Sequence, residues 1–453
     1  MEPFRYHVYV CDQQKPEGVP CCSVRGSAKT IDMLRKEIAS RSLLEEVQVT
    51  VCGSLGLCER GPNMVVYPEG VWYSGVMPGD VAEIVEKHFR QGQVVERLAH
   101  WDAAALRAEI QSNRNKMLAV MRAKDAAGVL PDEVSEKLRA FQESRVLLTA
   151  VELDVFAAAG EGSAAADVAS KLRTDPRATE MLLNALVAMG MLAKHDGRFS
   201  NTPTTARFFT AGSPDDARLS TLHTVHLWDR WSSLTACVRA GTSVRYEEAR
   251  DHGTEWTTAF IAAMHRNAAD RAALVVEAVG VENVRRMLDV GGGSGAYSIA
   301  FARARADLQA DLLDLETVVP IAQGQIDKAG FGDRIHARCA DLRTDRLGEG
   351  YDLVFISAIC HMLSEAENRD LLKRCGQALA PGGRVAIQDF ILEADKTSPK
   401  TAALFSLNML VGTRAGASYS DPEYTAWMRE AGFSDVKRIH LPGPSGLIVG
   451  TRL

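Results

Sequence analysis

The chain has 453 residues, more than one hydrophobic core usually organises, so two or three domains are expected. With 46% hydrophobic and 24% charged residues, it has the composition of a globular protein rather than a disordered one. A formal net charge of −6 without a local Lys/Arg run excludes any general attraction for nucleic acid, and no run of 18 apolar residues predicts a membrane span.

The opening residues lack a basic segment followed by an apolar one, so the expected location is the cytoplasm, with neither a membrane nor a nucleic acid as partner. Nine cysteines are too sparse for a disulfide scaffold, yet Cys11, Cys21, Cys22, Cys52 and Cys58 crowd the first 58 residues, which points to a metal site there.

From His7 the apolar periodicity predicts strand 7–10, helix 31–39, strands 47–52, 64–67 and 71–74, and helix 81–89, a small α/β unit. Residues 98–128 read as a polar, alanine-rich helical linker ending at Gly128. Pro131 begins a helical region that continues through 141–159, followed by helices over 163–172 and 175–191 and a β-wing turn at 197–200, the outline of a winged helix. Its second helix lacks a basic face, so packing or dimer formation is expected of it rather than DNA docking. Helices at 227–239 and 254–279 lead into strands and helices that alternate to the end of the chain.

Met287-Leu288-Asp289-Val290 reads as a buried strand, Gly291 to Gly295 as a turn, and 296–304 as the next helix. Glycines at such a turn let a ligand approach the backbone. Gly291-x-Gly293-x-x-Ala296 also satisfies the dinucleotide fingerprint, so the loop alone does not separate a nicotinamide cofactor from S-adenosylmethionine. Asp289 before the loop, Gly295 within it, and Asp314 closing a second strand in position to accept from ribose hydroxyls together favour S-adenosylmethionine. Asp341 closes a third strand, where a carboxylate can reach an adenine amino group or cap its own loop.

With these residues, Ile359-Cys360-His361 and the run from Pro381 to Asp389, the chain from about 141 to 453 resembles the small-molecule O-methyltransferases that include plant caffeate and animal acetylserotonin enzymes. The resemblance implies a Rossmann-like class I methyltransferase domain over 271–453, a winged-helix dimerisation domain over 131–270, and a homodimer acting on a small-molecule acceptor. It implies His361 as general base, an imidazole whose ordinary pKa near 6.5 suits it to take a hydroxyl proton. It implies Asp389 as the group that orients His361. Where many plant members carry a second carboxylate this chain has Ser418, and Ser364 with Glu367 forms a capping box just after His361. Trp228, Trp231, Met264, His265 and Met409 fall where relatives build the acceptor pocket, and such residues on helices equally serve as core.

Cys11, Cys22 and Cys58, with the segment from Gly61 to Tyr73, resemble the thioredoxin-like [2Fe-2S] ferredoxins over residues 5–97. Four thiolates would hold such a cluster. The fourth family cysteine falls at Ser54, with Cys52 two residues earlier. Cys52 as fourth ligand, serinate ligation by Ser54, a lost cluster and a zinc site all stay open.

The α/β reading is therefore a ferredoxin domain over 1–97, a linker over 98–130, and the two domains above. Its function is methyl transfer to a hydroxyl, with the cluster sensing redox state or docking a redox partner. Transfer to a thiol or carbon, and a redox-responsive DNA-binding regulator, are the competing readings.

Overall fold

The computed structural model describes residues 3–15, 19–246, 253–269 and 271–453, leaving aside the side chains of 124–126 and 254–255. It divides into two compact units, Met1–Phe141 and Gln142–Leu453.

The first unit is built on β1 (Tyr6–Cys11), β2 (Val47–Cys52), β3 (Asn63–Tyr67), β4 (Val71–Ser74) and β5 (Ala99–His100), in the order β2-β1-β3-β4-β5. β1 and β2 run parallel across the helix Ser27–Ser40, whereas β3 is antiparallel to β1 and β4 to β3. Val8, Val10, Leu34, Ile38, Met64, Val66 and Phe89 close the core beneath this sheet. The expected helix over 81–89 is α-helical only over Val81–Ile84 and widens into a π turn over Val85–Arg90, where buried His88 takes part in a hydrogen bond with the Tyr73 hydroxyl. The polar stretch forms the helix Ala103–Ala126, tied to the β2–β3 loop by an Asn113 amide that donates to the Gly56 carbonyl at 2.9 Å and by an Arg60–Glu109 ion pair.

The second unit opens with helices Phe141–Glu152, Val155–Ala159, Ala165–Leu172 and Pro176–Ala188 around β6 (Ser163–Ala164), β7 (Leu192–His195) and β8 (Arg198–Asn201). The order β6-β8-β7 gives this region its own three-stranded sheet beside its helices. Asp196 and Gly197 both take positive φ, at 48° and 75°, which matches the twist of a tight hairpin.

The remainder carries β9 (Arg286–Val290), β10 (Gln309–Asp314), β11 (Ile335–Cys339), β12 (Tyr351–Ser357), β13 (Leu379–Asp389), β14 (Phe433–Ile439) and β15 (Gly446–Arg452). They form a seven-stranded sheet in the order β11-β10-β9-β12-β13-β15-β14, parallel from β11 to β13, with β15 antiparallel to both its neighbours. Alternate residues of the central strands enter two cores: Leu288, Val290, Val354 and Ile356 on one face, Met287, Leu353 and Phe355 on the other. Burial on both faces explains the near-continuous apolar runs of these strands. Strand order reverses at β9, so a crevice is expected at the carboxyl ends of β9 and β12.

Candidate active site

That crevice holds two groups of residues. On the β9 side, the loop 291–295 turns tightly because Gly291, Gly293 and Gly295 take φ of 69°, 56° and 77°. A Cβ on Gly291 would lie 2.3 Å from Ile359 Cδ1, while one on Gly293 would meet nothing within 4 Å. Gly291 is thus small because the neighbouring loop packs on it, and Gly293 faces open space.

The carboxylates lie around this loop. Asp314 accepts from the Gly293 N–H at 2.8 Å and the Leu315 N–H at 2.7 Å, and burial raises its pKa. Asp289 is 1% exposed and accepts from the Ser298 hydroxyl at 2.6 Å, while its Oδ1 is buried with no hydrogen-bond partner among the described residues. Burial, with Asp314 nearby, pushes Asp289 up to about 7. Asp341 is exposed and accepts from the Arg343 N–H at 2.9 Å, so it caps its own loop in this structure.

On the β12 side, Ala358 takes a positive φ of 56°, unusual for a residue with a Cβ. The turn sets Ile359 on the glycine loop and His361 over the end of β13. His361 Nδ1 lies 2.6 Å from Asp389 Oδ1, and its backbone N–H donates to Asp389 Oδ2 at 3.1 Å. Asp389 also accepts from the Phe390 N–H at 2.8 Å and the Tyr424 hydroxyl at 3.0 Å. The Phe405 ring stands edge-on to the imidazole at 4.8 Å and stacks on Phe390 at 3.9 Å. Ser364 and Glu367 do form the capping box, so His361 both precedes a capped helix and faces Asp389.

Comparison with known proteins follows the same outline. Residues 231–434 match the O-methyltransferase domain, and 135–211 match the O-methyltransferase dimerisation domain. The 3-hydroxy-5-methyl-1-naphthoate 3-O-methyltransferase of Streptomyces sahachiroi is 34% identical over 326 residues, 68% of this chain and 92% of that protein. The chain belongs to the O-methyltransferase family. It is accordingly an S-adenosylmethionine-dependent methyltransferase. Acetylserotonin O-methyltransferase of Bos taurus is 30% identical over 67% of this chain and 92% of its own length. A solved structure of PigF with SAH matches with a TM-score of 0.66 at 27% identity, covering 72% of this chain and all of that one. Human N-acetylserotonin methyltransferase in complex with SAM shares the fold, with a TM-score of 0.64 at 24% identity over 71% of this chain and 97% of that one.

Of the residues expected in the methyltransferase's acceptor pocket, His265 instead meets the glycine loop, its Nδ1 2.9 Å from the Ser294 hydroxyl. The Trp231 indole donates to the side-chain amide oxygen Oδ1 of Asn408 at 2.8 Å, joining the helices Arg218–Ser232 and Lys400–Gly412. Ser418 is 3% exposed, its hydroxyl without a partner among the described residues. Tyr424 was missed from sequence, because its hydroxyl reaches Asp389 from a helix 35 residues on, with no local motif to announce it.

In the first unit, Cys11 and Cys52 are partners across β1 and β2, and a hydrogen bond between the Cys11 and Cys22 thiols pulls the first below the ordinary thiol range and pushes the second above it. Cys58 lies 3.3 Å from the Ser54 hydroxyl. Among the described residues no three His, Cys, Asp or Glu side chains gather as a metal-binding group. Cys11 is thus beside Cys22 and Cys52, and Cys58 beside Ser54, with no three-ligand metal group among the described residues.

Proposed function

We propose that this methyltransferase moves the donor's methyl group to a hydroxyl of a small aromatic acceptor, with His361 as general base and Asp389 orienting it. The observation that carries the reading is the 2.6 Å contact from His361 Nδ1 to Asp389 Oδ1. A proton on Nδ1 directed at Asp389 leaves Nε2 as the basic nitrogen. When bound, S-adenosylmethionine supplies an electrophilic methyl on a sulfonium. His361 holds the acceptor's proton as the new bond forms, and Asp389 stabilises the resulting imidazolium.

The donor's place is proposed at Asp289, Gly291, Gly293, Gly295 and Asp314, with Asp341 at the adenine end. The unpartnered Asp289 Oδ1, the open side of Gly293 and the carboxylate of Asp314 support this. Asp341 Oδ1 accepts the Arg343 N–H, and the carboxylate keeps further acceptor sites for an adenine amino group. An aromatic acceptor is supported by the Phe390–Phe405 stack beside His361 and by the hydroxynaphthoate and acetylserotonin of the relatives' names.

The region matching the dimerisation domain supports a homodimer, and exposed Leu153 and Met181 offer apolar surface for one. Its helices and the β7–β8 hairpin suit the winged-helix description. The domain boundaries at 97, 130 and 270 are proposed as the limits of the ferredoxin-like, linker, dimerisation and methyltransferase regions. No described helix is long and apolar enough to cross a membrane.

For the first unit, the strand order β2-β1-β3-β4 with one parallel pair supports a thioredoxin-like domain. The ferredoxin reading rests on Cys11, Cys22 and Cys58 with the segment from Gly61 to Tyr73, and no step of methyl transfer is assigned to a cluster there.

Assay of wild type and His361→Ala with labelled donor and hydroxylated aromatic acceptors tests the reading. Transfer to oxygen that collapses in the variant supports it, and transfer independent of His361 rejects it.

A further inference from the structure

Three helices bridge the gap between His361 and the glycine loop. Lys400–Gly412 presents Phe405 to the His361 ring. Arg218–Ser232 is fixed to that helix by the Trp231–Asn408 hydrogen bond. Thr254–Ala269 reaches the glycine loop through His265 and Ser294. The last two helices are held together by rings: Trp256 stacks on Phe260 at 5.1 Å, and His223 stands edge-on to Phe260 at 5.2 Å and to Trp256 at 6.3 Å.

Within this aromatic wall, two imidazole nitrogens are unsatisfied. His223 Nδ1 and His226 Nδ1 are both buried, and neither has a hydrogen-bond partner among the described residues. Spacing of three residues puts them on one face of the helix. An unmade hydrogen bond on a buried polar atom is unfavourable, and two on one face are a place where a ligand's polar group gains by completing them. Burial, together with His226 and Arg230, lowers His223 to about 4, which keeps its ring neutral at physiological pH and able to donate one N–H.

We propose that His223, assisted by His226, binds an oxygen substituent of the methyl acceptor remote from the hydroxyl that is methylated. The substituent is a carboxylate or carbonyl oxygen taking the imidazole N–H. Trp256 and Phe260 supply an apolar wall beside it. This inference rests on the reading of the crevice as an acceptor site, and it names His223 as a specificity-determining residue of that site.

The test uses the full-length protein with S-adenosylhomocysteine present and three probes that share a hydroxylated ring system: 3-hydroxy-1-naphthoate, 3-hydroxy-1-naphthaldehyde and 2-naphthol. Calorimetry should find the acid or the aldehyde bound at least about tenfold more tightly than 2-naphthol, the better of the two identifying the oxygen group. His223→Phe, which keeps a ring against Phe260, should reduce that preference to below about threefold while leaving 2-naphthol binding unchanged. His223→Asn, whose amide can occupy the place of Nδ1, should keep the preference within about threefold of wild type. Equal binding of all three probes, no binding of any, or a preference that survives His223→Phe overturns the proposal. Methylation of the same probes separates the two readings. Methyl transfer that survives His361→Ala with selective binding intact refutes the role of His361 and leaves His223 standing, whereas transfer lost in His361→Ala but indifferent to His223 does the reverse.

Discussion

His361 and Asp389 meet through two contacts, ring Nδ1 to Oδ1 at 2.6 Å and backbone N–H to Oδ2 at 3.1 Å, so the carboxylate fixes both the side chain and the turn that carries it. Asp389→Asn offers the ring an amide in place of an anion and loses the charge that stabilises the imidazolium. Turnover is expected to fall by about 10²–10⁴ with acceptor KM little changed. Steady-state kinetics on the purified variant checks this, and a change confined to KM would count against an orienting role.

Tyr424 supplies a third side of the same carboxylate, its hydroxyl donating at 3.0 Å from a fully buried position. Tyr424→Phe keeps the ring and deletes only that donor. The expected cost is about 1–3 kcal/mol of stability and about a tenfold loss of turnover, read from denaturant titration beside kinetics. Loss of stability with full turnover would make Tyr424 purely structural.

The glycine loop separates packing from binding. Ala at Gly291 brings a Cβ to 2.3 Å from Ile359 Cδ1, whereas Ala at Gly293 meets open space, though both need positive φ. Gly291→Ala is expected to destabilise the unliganded protein by about 1–3 kcal/mol more than Gly293→Ala. Gly293→Ala should instead weaken donor binding by an order of magnitude or more. Melting curves and donor calorimetry together report the two effects, and equal destabilisation would contradict the packing account.

Burial pushes Asp289 up to about 7, so the folded protein holds a proton that the unfolded chain releases near pH 4. Unliganded stability should therefore decline as pH rises from about 4 to about 7 and level off above. Asp289→Asn removes the titrating group and should be more stable than wild type by about 1–4 kcal/mol at pH 8, with little difference near pH 4. Unfolding curves at the two pH values check it. A wild-type-like decline in the variant would assign the pH dependence elsewhere.

The methyltransferase half was legible because its signals are local. Asp289 to Gly295 combines strand, turn and helix in one short run, and Ile359-Cys360-His361 follows a continuous apolar strand. Asp389 could be proposed because it stands at a strand end where the resemblance implies an acidic partner for the histidine. Tyr424 and the His223–Phe260 contact could not, since each joins elements far apart in sequence and only tertiary packing brings them together. Asp341 illustrates a further limit: an acidic residue at a strand end serves a ligand or its own loop equally well, and here Arg343 takes its oxygen. The cysteines show the same dependence on tertiary packing: strand pairing sets Cys11 opposite Cys52, whereas the loops carrying Cys22 and Cys58 set where those sulfurs lie, which spacing alone does not give.

Anaerobic purification with iron analysis and visible absorption decides the cluster reading independently of methyl transfer. Stoichiometric iron with visible absorption that is lost on Cys11→Ser supports the ferredoxin reading. A colourless, iron-free protein rejects it.

The most direct measurement of the central claim is methyl transfer by His361→Ala at saturating donor, paired with donor calorimetry on the same preparation. The account predicts donor affinity within about threefold of wild type and turnover lower by about two to four decades. Turnover equal to wild type, or loss of donor binding in parallel with activity, would contradict the assignment of His361 as the base.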